Sequence, residues 1–374
     1  MRVGINLLWL RPGEVGGSEM YVRRVLRAVS QAVASDGTAP IEWHLFGTEA
    51  AIDSVRPGLA SVTPHLAPEQ FVQPARRVLL ERTWLRRVMR SDLDVVHHPG
   101  GTVPFPSTIP TLLTIHDLQP LDDPTNFGGL KRRFLERAIP LSVARADLVV
   151  TPSNWVTQQV REKFSLSSDK VRTVSAFSDL RSTTDEHRAS ARVQALFDDG
   201  PLILYPAMTM RHKNHRVLFR AFSEAQRARP EIQLVCVGAI GRDHDEISAA
   251  AAVTSSRIHL LGHVSSADLE ALYLGAEMMV FPSRYEGFGL PILEAQQRGL
   301  PVVASTAGAL PEVAGLGARL FDPDDIDGWA RSMREPLTGA ARDSIVASGY
   351  DNATRFTAAA TAKQQRGAYQ ELTL

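Results

Sequence analysis

Short apolar runs alternate with segments of helical period along most of this sequence. In the first half the runs are Val3–Leu10, Ile41–Phe46, Val95–Val96, Thr111–Ile115, Leu148–Thr151 and Val171–Val174. In the second half they are Leu202–Tyr205, Ile232–Val237, Ile258–Leu261, Met278–Phe281, Pro301–Ala304 and Arg319–Phe321. Strands that are short and apolar on both faces belong to parallel sheets covered on both sides by helices. Two such series predict an α/β chain of two doubly wound domains. The polar stretch Asp179–Gly200, rich in charge and poor in aromatics, marks the break. The expected division is a first domain over 1–180, a linker over 181–199 and a second domain over 200–349. The Ala- and Gln-rich end, about 350–374, reads as a final helix.

Local signals support the alternation. Ser18 opens a segment whose Val22, Val25, Leu26 and Val29 share one face. Ser153 is placed to cap a helix carrying Val156, Val160 and Phe164. Pro291 suits the first position of a helix and Gly299 the residue past its end.

Composition removes several function classes. Apolar residues make up 44% and charged residues 22% of the 374, a globular balance that excludes a mainly disordered chain. Lys+Arg and Asp+Glu both number 41, so bulk charge does not recommend nucleic acid as a partner. Cys236 is the only cysteine, which excludes an intramolecular disulfide and a cysteine zinc site and fits a reducing cytoplasm. No run reaches the ~20 apolar residues of a membrane span. The first residues read as a strand of the fold, without the pattern of a cleaved leader.

Several segments carry chemistry. Gly13-Glu14-Val15-Gly16-Gly17-Ser18-Glu19 joins the first strand to its helix. Its glycines let backbone amides approach a phosphate or oxyanion, although a plain β–α turn has the same composition. It is not the Gly-x-Gly-x-x-Gly fingerprint, which weakens a dinucleotide-dehydrogenase reading. His116, in Thr114-Ile115-His116-Asp117, ends an apolar strand where open α/β sheets bind ligands; a hydrogen-bonded structural histidine is the alternative. Arg211-His212-Lys213-Asn214-His215 follows the first strand of the second half, and Lys213 at a helix start suits a diphosphate. No third ligand lies beside the two histidines, so metal is not expected.

The strongest segment is Ser283-Arg284-Tyr285-Glu286-Gly287-Phe288-Gly289-Leu290-Pro291-Ile292-Leu293-Glu294-Ala295. Glu286 precedes a Gly-x-Gly turn that exposes the amides of Phe288, Gly289 and Leu290, and Glu294 is expected in the first turn of the helix that follows. Acceptor carboxylates beside amide donors suit a ligand with many hydroxyls and a diphosphate, such as a nucleotide sugar. Thr306-Ala307-Gly308-Ala309-Leu310-Pro311-Glu312-Val313 adds amides on the same sheet edge. Asp322-Pro323-Asp324-Asp325 reads as a strand-to-helix turn rather than a metal cluster.

Together these segments resemble the retaining glycosyltransferases of family four, which have the GT-B fold, over nearly the full length of the chain. The order Gly16-Gly17-x-Glu19, His116-Asp117, Lys213-Asn214, Glu286-x7-Glu294, Leu310-Pro311-Glu312 is that family's order. The run from Tyr205 to His215 is similar to a subgroup associated with mannosyl transfer. The resemblance implies two Rossmann-like domains facing across a cleft, with the last helix crossing back to the first. It implies that Glu294 binds the ribose, that Glu286 and the amides of Phe288, Gly289 and Leu290 hold the donor sugar, and that Lys213 and the Leu310 amide hold the diphosphate. The base would lie near Gly262-His263-Val264, Gly16 and Gly17 would face the phosphate, and His116 the sugar. Many relatives carry an arginine six residues before the lysine. Here that residue is Ala207, and Arg211 replaces it only at a different backbone position.

The implied activity is metal-independent, cofactor-free transfer of a hexose from a nucleoside-diphosphate sugar, with GDP-mannose as the expected donor. The expected acceptor is a glycan or lipid-linked saccharide. A nucleotide-sugar epimerase, a phosphorylase on the same fold, and a non-catalytic binding subunit are the rivals.

Residues 74–90 carry Arg76, Arg77, Arg82, Arg86, Arg87 and Arg90 against one acid, Glu81. At about 100° per residue, Val78, Leu80, Trp84, Leu85, Val88 and Met89 fill one arc. Such a helix fits peripheral contact with the inner face of the cell membrane, and equally an ordinary helix packed on its own sheet. Lys131-Arg132-Arg133 is a second basic cluster.

Overall fold

The computed structural model describes residues 1–13, 16–36, 40–68, 74–89, 92–178 and 189–373, with the backbone alone for 34–36 and 74–76. Glu14, Val15, Arg90 and the linker residues 181–188 lie outside the described residues, as does the side chain of Arg76. The described residues divide into two compact units, Met1–Phe177 with Phe356–Leu374, and Ser178–Arg355.

In the first unit, β1 (Arg2–Asn6), β2 (Glu42–Gly47), β3 (Val62–Leu66), β4 (Val95–His98), β5 (Thr111–Thr114), β6 (Leu148–Thr151) and β7 (Val171–Thr173) form a parallel sheet in the order β3-β2-β1-β4-β5-β6-β7. In the second, β8 (Leu202–Pro206), β9 (Gln233–Val237), β10 (Ile258–Gly262), β11 (Met278–Phe281), β12 (Val302–Ser305) and β13 (Ala318–Phe321) run parallel in the order β10-β9-β8-β11-β12-β13. Every residue of β4, β5, β6, β9, β11 and β12 is buried, which is why these strands read as unbroken apolar runs. The strand order reverses between β1 and β4, and again between β8 and β11. Ligands of doubly wound sheets bind beyond the strand ends at such points.

β3 is the strand that periodicity does not reveal. It sits at the sheet edge, is mostly exposed, and contains Pro64, which only an edge strand tolerates. The run Val3–Leu10 is strand only to Asn6; Leu7–Leu10 stay buried as a turn closed by the Leu10 amide on the Leu7 carbonyl at 3.0 Å. Ser153 caps the Asn154–Phe164 helix as expected, accepting from the Val156 amide at 3.2 Å.

The expected final helix is two helices, Gly339–Ala353 and Ala358–Glu371. They are separate because Thr357 caps the second, accepting from the Ala360 amide at 3.2 Å. The second helix completes the first unit. Thr361 donates to the Ser175 carbonyl at 2.7 Å, and Gln364 accepts from the Ser175 amide at 2.9 Å. Tyr369, fully buried, lies 2.9 Å from His97 Nδ1 and edge-on to Trp43. Of the expected linker, Ala191–Asp199 is a helix whose Ser190 amide is tied to Asp268 of the second unit at 2.7 Å.

Residues 74–88 are not one regular helix. A helix over Pro74–Leu80 passes through a π turn, Glu81–Leu85, into a short helix, Arg86–Val88. The apolar arc packs on the unit's own core. Leu80, Leu85 and Met89 join a buried cluster with Leu8, Phe46 and Val96, and Trp84 and Val88 close over it. That stripe is therefore spent on folding. Glu81 is only 2% exposed, accepts from Asn6 Nδ2 at 3.3 Å and lies 3.6 Å from Arg77 Nε. Burial raises its pKa, and Arg77 and Asn6 oppose the rise. Among the described residues no helix is long and apolar enough to cross a membrane.

Candidate active site

In the second unit the loops after β8 and β11 meet where the strand order reverses. After β8 the chain makes a single turn, Arg211–Lys213, and then enters the His215–Ala228 helix through Asn214. Asn214 has φ of 63°, a left-handed conformation that asparagine accepts more readily than most residues. Its Nδ2 donates to the carbonyls of Pro282 at 3.1 Å and Pro323 at 2.7 Å. Its Oδ1 accepts from Arg284 Nε at 3.1 Å. The Tyr205 hydroxyl donates to the Lys213 carbonyl from below. The backbone under Lys213 is thus held from several sides.

Lys213 Nζ lies 2.6 Å from Glu286 Oε1, with the two side chains 15% and 13% exposed. The Glu286 backbone is held in turn. Its carbonyl accepts from the Ala309 amide at 3.0 Å, and Gly308 presses so close that a Cβ there would sit 2.5 Å from the Glu286 oxygen. Gly289, at φ of 104°, leads into the Leu290–Gln296 helix and abuts the buried Leu310 side chain. Phe288 is buried beside it in sequence. The loops after β11 and β12 therefore interlock through two glycines.

Because Gly289 is the cap, the helix opens at Leu290. Pro291 is its second residue and Glu294 its fifth, one turn further in than the expected first turn. Glu294 Oε2 accepts from the Tyr273 hydroxyl at 3.1 Å, and its carbonyl accepts from Arg298 at 2.8 Å. Arg298 lies 5.2 Å from the Tyr273 ring and pairs with Glu270 at 2.6 Å. Burial, and then the charge of Glu294, hold the Tyr273 phenol well above its ordinary pKa, so it remains a donor.

The remaining second-unit residues sit on neighbouring loops. Val264 is half-buried after β10, where Gly262 has φ of 70° and no atom within 4 Å of a would-be Cβ. Ala207 is 8% exposed. Arg211 opens the lysine's turn with an exposed side chain, and its amide donates to Asp243 at 2.8 Å. Asp325 caps the Ile326–Arg334 helix and Asp324 pairs with Arg284, so the acidic run is the turn its composition suggests. Among the described residues no three His, Cys, Asp or Glu side chains group as a metal site. His215 is buried against Tyr205 and Phe219, which lowers its pKa to about 3.

In the first unit His116 follows β5. Its Nε2 lies 2.9 Å from the Pro99 carbonyl, so that nitrogen carries the proton and Nδ1 is the acceptor. Tyr21 stands edge-on to it at 5.3 Å, and Trp9 is tilted by 45° at 6.3 Å. Burial lowers the His116 pKa to about 4, and the ring is neutral at pH 7. Gly16, at φ of 69°, and Gly17 precede and open the Gly17–Asp36 helix with open space where a Cβ would stand. Glu19 caps this turn, accepting from the Gly13 amide at 2.9 Å. Tyr273, Trp9 and Tyr21 escape sequence reasoning because each lies far along the chain from the motif it supports.

Comparison with known proteins identifies the family. A model of the glycosyl transferases group 1 matches residues 187–350, and one of glycosyltransferase family 4 matches residues 15–181. The chain is 28% identical to an O-antigen chain mannosyltransferase B of Escherichia coli, over 76% of each chain. It is 26% identical to a D-inositol 3-phosphate glycosyltransferase of Salinispora tropica, over 96% of this chain and 82% of that one. The structure of Anabaena HepE in complex with UDP and glucose superposes with a TM-score of 0.74 at 18% identity, covering 99% of both chains, and shares the fold. The chain belongs to family four of the glycosyltransferases, with the two-domain GT-B fold, and is a glycosyltransferase.

Proposed function

We propose that this enzyme transfers a hexose, mannose in the first instance, from a nucleoside-diphosphate sugar to a glycan or lipid-linked saccharide, with retention of configuration and without a metal. The observation that carries the reading is the Lys213–Glu286 pair at the reversal point of the second sheet. Breaking the anomeric bond leaves negative charge on the departing diphosphate, and a fixed cation there lowers the barrier. Lys213 supplies that cation. Its ammonium has three donors, so it serves a phosphate oxygen while keeping Glu286. Glu286 orients the sugar and steadies positive charge at the anomeric carbon, with the amides of Phe288, Gly289 and Leu290 on the same loop. Glu294, held by Tyr273, takes the ribose hydroxyls, with the base near Val264.

Ala207 leaves the diphosphate with one cation fewer than the resemblance leads one to expect. Arg211 has the exposure to approach it from the lysine's own turn. Gly16, Gly17 and His116 are the first unit's proposed contribution, with His116 acting as a neutral hydrogen-bonding group. Front-face attack, in which a leaving phosphate oxygen takes the acceptor proton, needs no separate base. Mannose is favoured by the likeness to the O-antigen mannosyltransferase. Glucose on UDP is the second reading, because HepE was solved with UDP and glucose.

The test is a thermal-shift panel of GDP, UDP, ADP, CMP and dTDP with their sugar conjugates, in EDTA. A ligand at about 100 times its dissociation constant stabilises the fold by about 2.7 kcal/mol. Stabilisation by GDP-mannose, followed by GDP release with acceptor present, supports the proposal. Stabilisation confined to another base replaces the donor, and a strict need for a divalent cation removes the metal-free mechanism.

A further inference from the structure

The Gly129–Arg145 helix of the first unit has its core side on Ile139, Ser142 and Val143, with Leu135 packed beside them. At about 100° per residue, Leu130, Arg133, Arg137 and Leu141 fall within roughly 80° of one another on the opposite side. All four are exposed, Leu130 by 86% and Leu141 by 52%. A helix whose outward face sets two arginines between two exposed leucines departs from the usual plan, in which the outward face is polar throughout.

Charge decides what this face fits. The only acid of the helix, Glu136, pairs with Arg132 at 2.7 Å. Among the described residues neither Arg133 nor Arg137 forms an ion pair. The basic surface extends toward the Pro74–Val88 stretch. After burial, the Arg77 charge is what holds the Lys131 ammonium below its usual pKa, so the two helices are electrostatic neighbours. In that stretch Arg82, Arg86 and Arg87 are exposed, as is Leu79 by 56%, while the one acid, Glu81, is buried and pairs inward with Arg77.

We infer that the outward face of the Gly129–Arg145 helix docks on an anionic phospholipid surface, with Leu130 and Leu141 entering the interface and Arg133 and Arg137 bound to headgroup phosphates. Basic side chains with exposed leucines are the chemistry of interfacial binding, where apolar burial and attraction to anionic lipid add together. A second copy of this chain is a poor occupant, because a two-fold axis through the face sets arginine against arginine. None of Leu130, Arg133, Arg137 and Leu141 is among the residues assigned to the donor, so the inference stands or falls independently of the reaction proposed above. It also moves the membrane contact away from the 74–90 apolar stripe, which the core occupies.

The experiment is flotation of the full chain with phosphatidylcholine vesicles, and with vesicles in which a third of the lipid is phosphatidylglycerol, at low and high salt. The wild type is expected to float with the anionic vesicles and not with the neutral ones. Arg133→Glu with Arg137→Glu is expected to lower partitioning at least tenfold. Arg220→Glu with Arg227→Glu, the same charge change on exposed sites of the second unit, is expected to lower it less than threefold. Leu130→Ser with Leu141→Ser is expected to weaken the salt-resistant part several-fold. Each variant is checked by its melting curve and by turnover on a water-soluble acceptor, both expected to match wild type. Absence of binding to anionic vesicles, or equal losses in the two arginine pairs, overturns the inference. So does a concentration-dependent dimer that Arg133→Glu with Arg137→Glu abolishes, which would make the face a self-interface.

Discussion

Lys213 and Glu286 hold each other in the second unit with most of both side chains out of water, so each substitution exposes what the other was doing. In the proposed mechanism, Lys213→Ala removes the cation and leaves Glu286 beside the leaving group. We expect kcat to fall by about 10²–10³, as for loss of one strong transition-state donor, measured by nucleotide release. Tyr273→Phe is a milder probe. It removes one hydrogen bond from Glu294 Oε2, worth about 1 kcal/mol. The donor KM should rise about fivefold with kcat within about twofold, and a fall in kcat alone would remove Tyr273 from the ribose side of the site. The two glutamates and the lysine are legible in the sequence because their motifs are contiguous and bounded by glycine and proline. Tyr273 is not, because the fold alone brings it to Glu294 from an earlier helix. The sequence does suggest a cation substitute in Arg211, yet nothing in its local pattern says where that exposed side chain rests.

Loops between strands and helices carry the proposed site, and their shapes depend on a few backbone positions. Gly308 has φ of 63° and lies against the Glu286 backbone. Gly308→Ala adds a strained conformation, costing roughly 1–3 kcal/mol, and drives a methyl into the Glu286 carbonyl. Denaturant unfolding should show that loss. Activity should drop further than stability explains, because Glu286 must move; an active variant with ordinary stability would contradict the contact. The same scale shows where pattern reading stops. Buried strands such as β11 and β12 are legible because both faces are apolar. β3 is not, because an edge strand needs only one protected side. Residues 74–88 show the converse: an apolar arc reads alike whether it meets lipid or core, and only packing against Phe46 and Val96 decides.

At the level of the whole molecule, burial of neutral imidazoles makes stability depend on pH. His97 and His98 are lowered to about 3, His116 to about 4 and His215 to about 3, all chiefly by burial. In the unfolded chain these rings titrate near 6.5. Between that value and the folded values the unfolded state binds more protons, so stability falls as pH drops from about 6.5 toward 4. Melting curves across that range should shift downward, most for the transition of the first unit, which holds three of the four; a flat profile would contradict the burial. The two-series pattern makes both sheets legible, but not the return of Ala358–Glu371 to the first, since an Ala- and Gln-rich helix names no partner. That return has a consequence for biosynthesis. The first unit is begun before the second and finished after it, so a nascent chain that has reached Arg355 possesses every strand of both sheets but lacks the helix that covers Trp43 and His97. The second unit, contiguous from Ser178 to Arg355, can mature first, while the earlier-made half waits with that surface open. Chaperones that attend translation should therefore linger on the older half of the chain.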